Sequence, residues 1–346
     1  MRSERPHALR TIRRSTTAAL TLAAAVALAG CSSVAAPAPP APDAEAGSDG
    51  AHVVSREIAE GMGSEQADGD FPRSVTHYAG ATELETSPTR IAVVSTGQLD
   101  ALLALDIVPV AATRAEQSAL VPDYLTAALP ERADELAGIA DIGERTEPDL
   151  ESIAAAQPDL ILINSVRGAE LFDRLSAIAP TVVTLGNGVN WKSDLLLLAD
   201  ALGREGDAQR YLDELHADAD AFAEQADGPS TVSFLQHTGD RMRIMGEPSF
   251  TGGIAEDLGL ARPASQRFDE TSREISAEQL EQADADHVFY AGTDDGLTAL
   301  RTAALWPSLG AVADERATEV DLDVFFMNAG PIAARIAQER IVDVLS

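Results

Sequence analysis

Lysine is all but missing from this 346-residue chain: Lys192 stands alone, so nearly every cation is an arginine. Cysteine is equally scarce. Cys31 is the sole one, which excludes internal disulfides and zinc sites built from cysteine. Aromatic residues make up only 4%, and positive charge is in deficit, with a formal net charge of −31. A body this acidic repels phosphate backbones and anionic lipid. That argues against nucleic acid as a partner and against electrostatic attachment to a membrane. There is no G-x-S-x-G, no G-x-G-x-x-G, no P-loop and no H-E-x-x-H, so an enzyme built on any of these finds no support. The six histidines are scattered, unlike the convergent donor set of a directly bound zinc or manganese ion.

What is present starts at the N-terminus. Arg2, Arg5, Arg10, Arg13 and Arg14 precede an apolar run from Ala18 to Ala29. That run is too short to span a bilayer and fits the core of a signal peptide. It ends in Leu28-Ala29-Gly30-Cys31, which resembles the lipobox of bacterial lipoproteins. The resemblance implies that residues 1–30 are removed and that Cys31 carries lipid. Beyond Cys31, 20 basic residues face 55 acidic ones. Residues 31–72 are rich in Ala, Pro, Ser, Asp and Gly and predict a flexible tether, with an end-to-end distance of roughly 35 Å for coil of this length.

The rest reads as an α/β chain of two Rossmann-like lobes joined by one long helix. In the first lobe, residues 73–190, strands are predicted at Arg90–Ser95, Val108–Ala112, Asp159–Asn164 and Thr181–Leu185. Helices are predicted at Gln98–Leu105, Pro148–Gln157 and Leu171–Ile178. Buried apolar strands alternating with helices imply a mostly parallel sheet covered on both faces. Residues 191–227 predict two connecting helices, Asp194–Leu202 and a spine over about Glu205–Ala226. In the spine, Tyr211, Leu215, Ala219 and Phe222 share one face, and its length is roughly 30 Å. The second lobe, residues 228–346, predicts strands at Thr231–Gln236, Arg243–Met245 and Asp286–Tyr290. Helices follow at Gly252–Leu258, Ser276–Gln282 and Ile332–Leu345. The lobes echo each other: the stretch from Asp149 and the stretch from Ile275 each run through a short helix and an Asp into a buried strand. Glu151 and Glu278 stand at the two helix starts, where a carboxylate suits the helix dipole.

Taken together, RIAVVSTGQLDALLALDIVPVAA, EPDLESIAAAQPDLILI, WKSDLLLLADALGRE, GGIAEDLGLARP, ISAEQLEQADADHVFY and VFFMNAGPIAARI resemble the ferric-siderophore substrate-binding proteins of ABC importers. The similarity covers about Phe71 to Ser346. It implies a ligand cleft between the lobes, small hinge motion, a monomer, and docking of Glu151 and Glu278 onto arginines of a membrane permease. No resident cofactor is implied; the ligand is an iron(III)–siderophore complex, and the place of action is the outer face of the cell membrane.

Ligands of open α/β layers sit beyond the carboxyl ends of the strands. Those ends lead to Arg114, Arg167 and Trp191 on the first-lobe side. On the second they lead to Arg243, Tyr290, Trp306 and Phe325. Arginine forks suit chelator oxygens, and rings pack on its apolar parts. The resemblance supports Arg167 and Arg243 in particular. Ser233 and Met245 depart from its pattern, which more often has Arg and Tyr there. Haem and cobalamin are the alternatives within the same importer class. Haem needs an axial ligand, for which His237 on the second lobe and Tyr78 or Tyr124 on the first are the candidates.

Overall fold

The computed structural model describes residues 56–115, 118–186, 188–225 and 230–346. The signal segment, Cys31 and the first part of the expected tether lie outside the described residues.

The first lobe opens with a hairpin, β1 (Arg73–His77) and β2 (Gly80–Leu84). Its main sheet holds β3 (Ile91–Val93), β4 (Ala111–Arg114), β5 (Ala140–Glu144), β6 (Glu147–Pro148), β7 (Leu160–Asn164) and β8 (Thr181–Thr184), in the order β6-β5-β4-β3-β7-β8. All neighbours run parallel except the edge pair β5 and β6. The connecting helices are α1 (Thr96–Ala104), α2 (Asp123–Ala128), α3 (Ala133–Ala137), α4 (Leu150–Ala155) and α5 (Ser165–Ser176). β7 is apolar from Leu160 to Ile163, all fully buried, because helices cover both faces of a parallel sheet. α5 begins six residues before the predicted Leu171, so Arg167 lies in its first turn rather than in a loop.

Two helices follow, α6 (Trp191–Ala201) and α7 (Glu205–Ala223). At 19 residues α7 is about 28 Å long. Its buried face is Ala208, Leu212, Leu215, His216 and Ala219, turned slightly from the predicted one. Tyr211 sits at the edge of that face and donates its hydroxyl to the Pro331 carbonyl at 2.9 Å.

The second lobe comprises β9 (Val232–Thr238), β10 (Arg241–Met245), α8 (Phe250–Asp257), β11 (Ser272–Ile275), β12 (His287–Gly292), α9 (Asp294–Thr302), α10 (Gly310–Ala313), β13 (Ala317–Glu319) and α11 (Pro331–Leu345). Its sheet order is β11-β10-β9-β12-β13. β12 runs parallel to β9 and β13, whereas β10 runs antiparallel to β9 and β11. The sheet is therefore mixed. Only Gly239 and Asp240 separate β9 from β10, and so short a link joins antiparallel neighbours only. The predicted helix at Ser276–Gln282 is a 3₁₀ segment, Ala277–Ala283, entered through a Ser276–Gln279 capping box.

The predicted tether is too long at its C-terminal end. Residues 56–72 pack on the body: Ile58, Met62 and Phe71 join the main core. Asp68 accepts from the backbone N–H groups of Glu205 and Gly206 at 2.8 and 2.9 Å, which caps α7 from outside its own sequence. The buried Arg73 guanidinium donates to the carbonyls of Ala67, Asp70 and Asp200. Alanine-, serine- and glycine-rich composition does not reveal such fixed polar contacts.

Lys192 is completely buried. Its ammonium lies 2.5 Å from Asp257 and 2.9 Å from Nε2 of His216, joining α6, α7 and α8. Burial, and then Lys192 itself, lowers the His216 pKa to about 4, so the imidazole is neutral and accepts from the ammonium. Arg56, from the packed N-terminal stretch, adds a second contact to Asp257 at 3.3 Å.

Candidate ligand site between the lobes

In the first sheet the strand order reverses between β3 and β7, so the two chains that leave their carboxyl ends diverge and open a crevice there. Ser95 follows β3 and Asn164 ends β7; the Asn164 N–H donates to Ser95 Oγ at 3.0 Å, tying the two ends together. Gln98, on the first turn of α1, donates to Thr184 Oγ1 at 3.0 Å. The Oε1 of Gln98 is buried without a partner. Gly186 completes this rim. Its φ is +79°, and a Cβ there would fall 2.1 Å from that of Asn164, so only glycine fits. Asp194 fixes the loop after β8 by accepting from the N–H groups of Leu185 and Gly186 at 2.9 and 2.7 Å. Burial raises its pKa to about 6 against the pull of those two bonds.

These residues form one wall of a cavity of about 350 Å³ whose other wall is the second lobe. There Arg243 on β10 stands opposite Gln236 of β9. Burial, and secondarily Arg241, lowers the Arg243 pKa from its ordinary value, while Glu274 opposes that. Its Nε is buried without a partner. Met245, Ser249 and Thr251 continue the wall. The floor is apolar: Trp191 meets Phe250 edge to face at 6.0 Å, beside Leu195, Leu198, Phe325 and Phe326. The indole Nε1 of Trp191 is a third buried polar atom without a partner. The cavity is thus lined by an arginine, a tryptophan and a glutamine, each with a buried polar atom that lacks a partner, over an aromatic floor. That set suits a bulky ligand with outward oxygens and apolar parts.

Of the seven residues expected to bind ligand, Arg243, Trp191 and Phe325 line the cavity, and four do not. Arg114 pairs with Asp141 at 2.5 Å and with Glu144 at 3.8 Å. Arg167 lies outside the lining and reaches Glu170 at 3.4 Å, one turn along α5. In a chain this acidic an exposed arginine meets a carboxylate first. Tyr290 and Trp306 pack edge to face at 4.9 Å inside the second-lobe core. His237 is buried, its Nδ1–H donating to the Gly296 carbonyl at 2.6 Å, and Tyr124 donates to Asp100 at 2.7 Å. Neither belongs to the cavity lining, and nor does Tyr78. Ser233 is core as well, bonded by Gln266, which also holds the buried Arg262. Glu151 and Glu278 are exposed at the starts of α4 and the 3₁₀ segment.

Arg145, Gln98, Met327 and Asn328 line the cavity without having been expected there. Arg145 follows β5, whose sequence Ala-Asp-Ile-Gly-Glu lacks an apolar run and so does not read as a strand. Recognising β5 would have placed Arg145 at a strand's carboxyl end.

Residues 91–321 match the family described as periplasmic binding protein. The chain is 30% identical over 294 residues to the probable siderophore-binding lipoprotein YfiY of Bacillus subtilis, covering 80% of this chain and 88% of that one. It is 26% identical over 277 residues to the Fe(3+) dicitrate-binding periplasmic protein FecB of Escherichia coli, covering 78% and 90%. Among solved structures, SirA of Staphylococcus aureus complexed with staphyloferrin B superposes with a TM-score of 0.69 at 24% identity, covering 79% and 98%. With the two parallel-rich lobes and the cavity between them, these matches place the chain: it belongs to the periplasmic binding protein family.

Proposed function

We propose that this protein captures a ferric siderophore outside the cytoplasm and delivers it to an ABC importer, held at the membrane by lipid on Cys31. The observation that carries the reading is the cavity itself, lined over an aromatic floor by Arg243, Trp191 and Gln98, each of which has a buried polar atom without a protein partner. A buried donor or acceptor left unpaired costs roughly 1–3 kcal/mol, and a ligand rich in oxygen and amide groups removes that cost. The names of the relatives, siderophore-binding and ferric-dicitrate-binding, point the same way. A binding role without catalysis fits a family of binding proteins. Haem is the weaker reading. No histidine or tyrosine is among the described lining residues; Met245 and Met327 are the haem-ligating side chains there, and both lie on the second-lobe side.

The test is fluorescence titration with a panel of ferric siderophores, ferric citrate and haemin. Trp191 lies in the cavity floor, so a bound ferric complex should quench it. Absence of quenching and of affinity across the panel sinks the siderophore reading, and a Soret band on haemin addition favours haem instead. Glu151 and Glu278 are proposed to dock on permease arginines. Reversing both (E151R/E278R) is expected to abolish uptake and leave affinity intact; normal transport by that variant removes the assignment.

A further inference from the structure

A second cavity of about 280 Å³ adjoins the first, and Arg145, Met327 and Asn328 line both. Its character is different. Asp123 of α2 and Asp323 line it and bring two carboxylates to one space, and no cation is paired with either among the described residues. Burial raises the Asp323 pKa, and repulsion from Asp321 and Asp123 raises it further. Thr113, near the end of β4, is 2% exposed and lines the same cavity, and its Oγ1 has no partner. A buried hydroxyl without a partner is a standing acceptor for a donor from outside the protein.

The partition between the cavities has an unusual backbone. Asp323–Met327 forms a single π turn, a rare form frequent at functional sites. Its wider turn sends Phe325 and Phe326 to the first cavity and Asp323 to the second, with Met327 facing both. One short segment therefore separates an aromatic compartment from one that holds two carboxylates, and Arg145 lines both.

We propose that the second cavity is a subsite for an ammonium group, carried on an arm of the same ferric complex whose chelated iron occupies the first cavity. The proposal rests on the siderophore reading above. A primary ammonium has three donors, which match the two carboxylates and the Thr113 hydroxyl. A guanidinium or amidine on the arm belongs to the same class. An arm ending in a carboxylate is repelled.

The experiment uses the full-length chain and two ferric linear trihydroxamates that differ only at the arm, one ending in a primary amine and the other in its N-acetyl derivative. Wild type is expected to bind the amine form about tenfold more tightly, the worth of one charge-assisted hydrogen bond set at the low end because Asp123 is exposed. The preference should fall in D123N and in D323N and vanish in D123N/D323N, with affinity for the acetylated form unchanged. T113V should reduce it by a smaller factor. Equal binding of the two forms by wild type, or a preference that survives in D123N/D323N, overturns the subsite and leaves the siderophore reading standing. Binding only of chelates without an amine also overturns it. Failure of every ferric chelate in the wider panel removes both.

Discussion

The two lobes build opposite faces of one cavity from different materials. Apart from Arg145 after β5 and Asp194 on α6, the first-lobe wall is neutral: Ser95, Gln98, Asn164 and Thr184 come from the ends of parallel strands and the turn that follows, already bonded to one another. The second-lobe wall carries Arg243, on a strand that turns back antiparallel and so brings its middle, not only its end, to the crevice. Their buried charges differ as well. On the first-lobe side Asp100 of α1 and Asp194 of α6 are buried acids, each with its pKa raised to about 6 by burial, alongside the buried Arg73. The second hides Arg262, whose pKa burial lowers to about 9. A mixed sheet can aim a cation into a cleft at mid-strand, whereas a parallel sheet offers what its loops offer.

The largest expected effect comes from the bond that joins the lobes. Lys192 reaches from α6 to Asp257 on α8, and K192M leaves that carboxylate buried with Arg56 as its remaining cation. The loss should be about 3 kcal/mol of stability, the lower end for breaking a buried pair, because Arg56 still compensates in part. K192M/D257L should recover most of it, since replacing both charges by apolar groups removes the desolvation cost. Denaturant unfolding of the two variants decides. A loss below about 0.5 kcal/mol in K192M means that the connection between the lobes is apolar packing.

Next is the cation itself. R243A should weaken binding of a ferric siderophore by about 30-fold, as expected for hydrogen bonds to a charged, part-buried group. Its partner wall should respond less: S95A, which removes a neutral hydroxyl engaged with Asn164, should weaken binding by about threefold. Equal effects would erase the contrast between the walls.

How far the sequence reached follows the same division. The two lobes, the spine and most strands were legible because buried parallel strands are unbroken apolar runs and α7 keeps a helical period over 19 residues. The cavity was half legible. Trp191, Arg243 and Phe325 follow from the rule that ligands lie at strand ends. Arg114 and Arg167 satisfy the same rule, but pairing with Asp141 and Glu170 depends on side chains brought near by folding. Tyr290 was misplaced because side chains alternate sides along a strand, and an aromatic near a strand end can point into the core instead; Trp306, in the 3₁₀ segment Trp306–Ser308, packs against it there. The packed stretch 56–72 was missed because its fixing residues, Ser64, Asp68 and Arg56, bond to partners more than 130 positions away.

A smaller effect separates the lobes by pH. The Asp100 carboxylate accepts from Tyr124 and from the N–H groups of Ile332 and Ala333, yet burial dominates and its folded pKa, like that of Asp194, lies near 6 instead of near 4. Between those values the folded state holds protons that the unfolded chain has lost. These two groups therefore make stability highest below about pH 4 and reduce it as pH rises to about 6, by on the order of 2 kcal/mol each. The slope should flatten in D100N and in D194N, whatever their absolute stability. A slope unchanged in both variants refutes the assignment of these protons to the first lobe.

The smallest expected effect is the most diagnostic. R114A and R167A should each change ligand affinity by less than about twofold, because both guanidinium groups face exposed carboxylates across solvent-accessible pairs worth under about 1 kcal/mol. Arg167 is the sharper case. Its Nε is buried without a partner even though the tip of the side chain pairs with Glu170. It also stands in the first turn of α5, directly after β7 and Asn164, which does line the cavity. A tenfold loss in R167A, with R114A unchanged, would mean that this arginine leaves Glu170 and swings to the bound ligand. The first lobe would then bring a second cation beside Arg145, and the contrast between the two walls would hold only for the empty cavity.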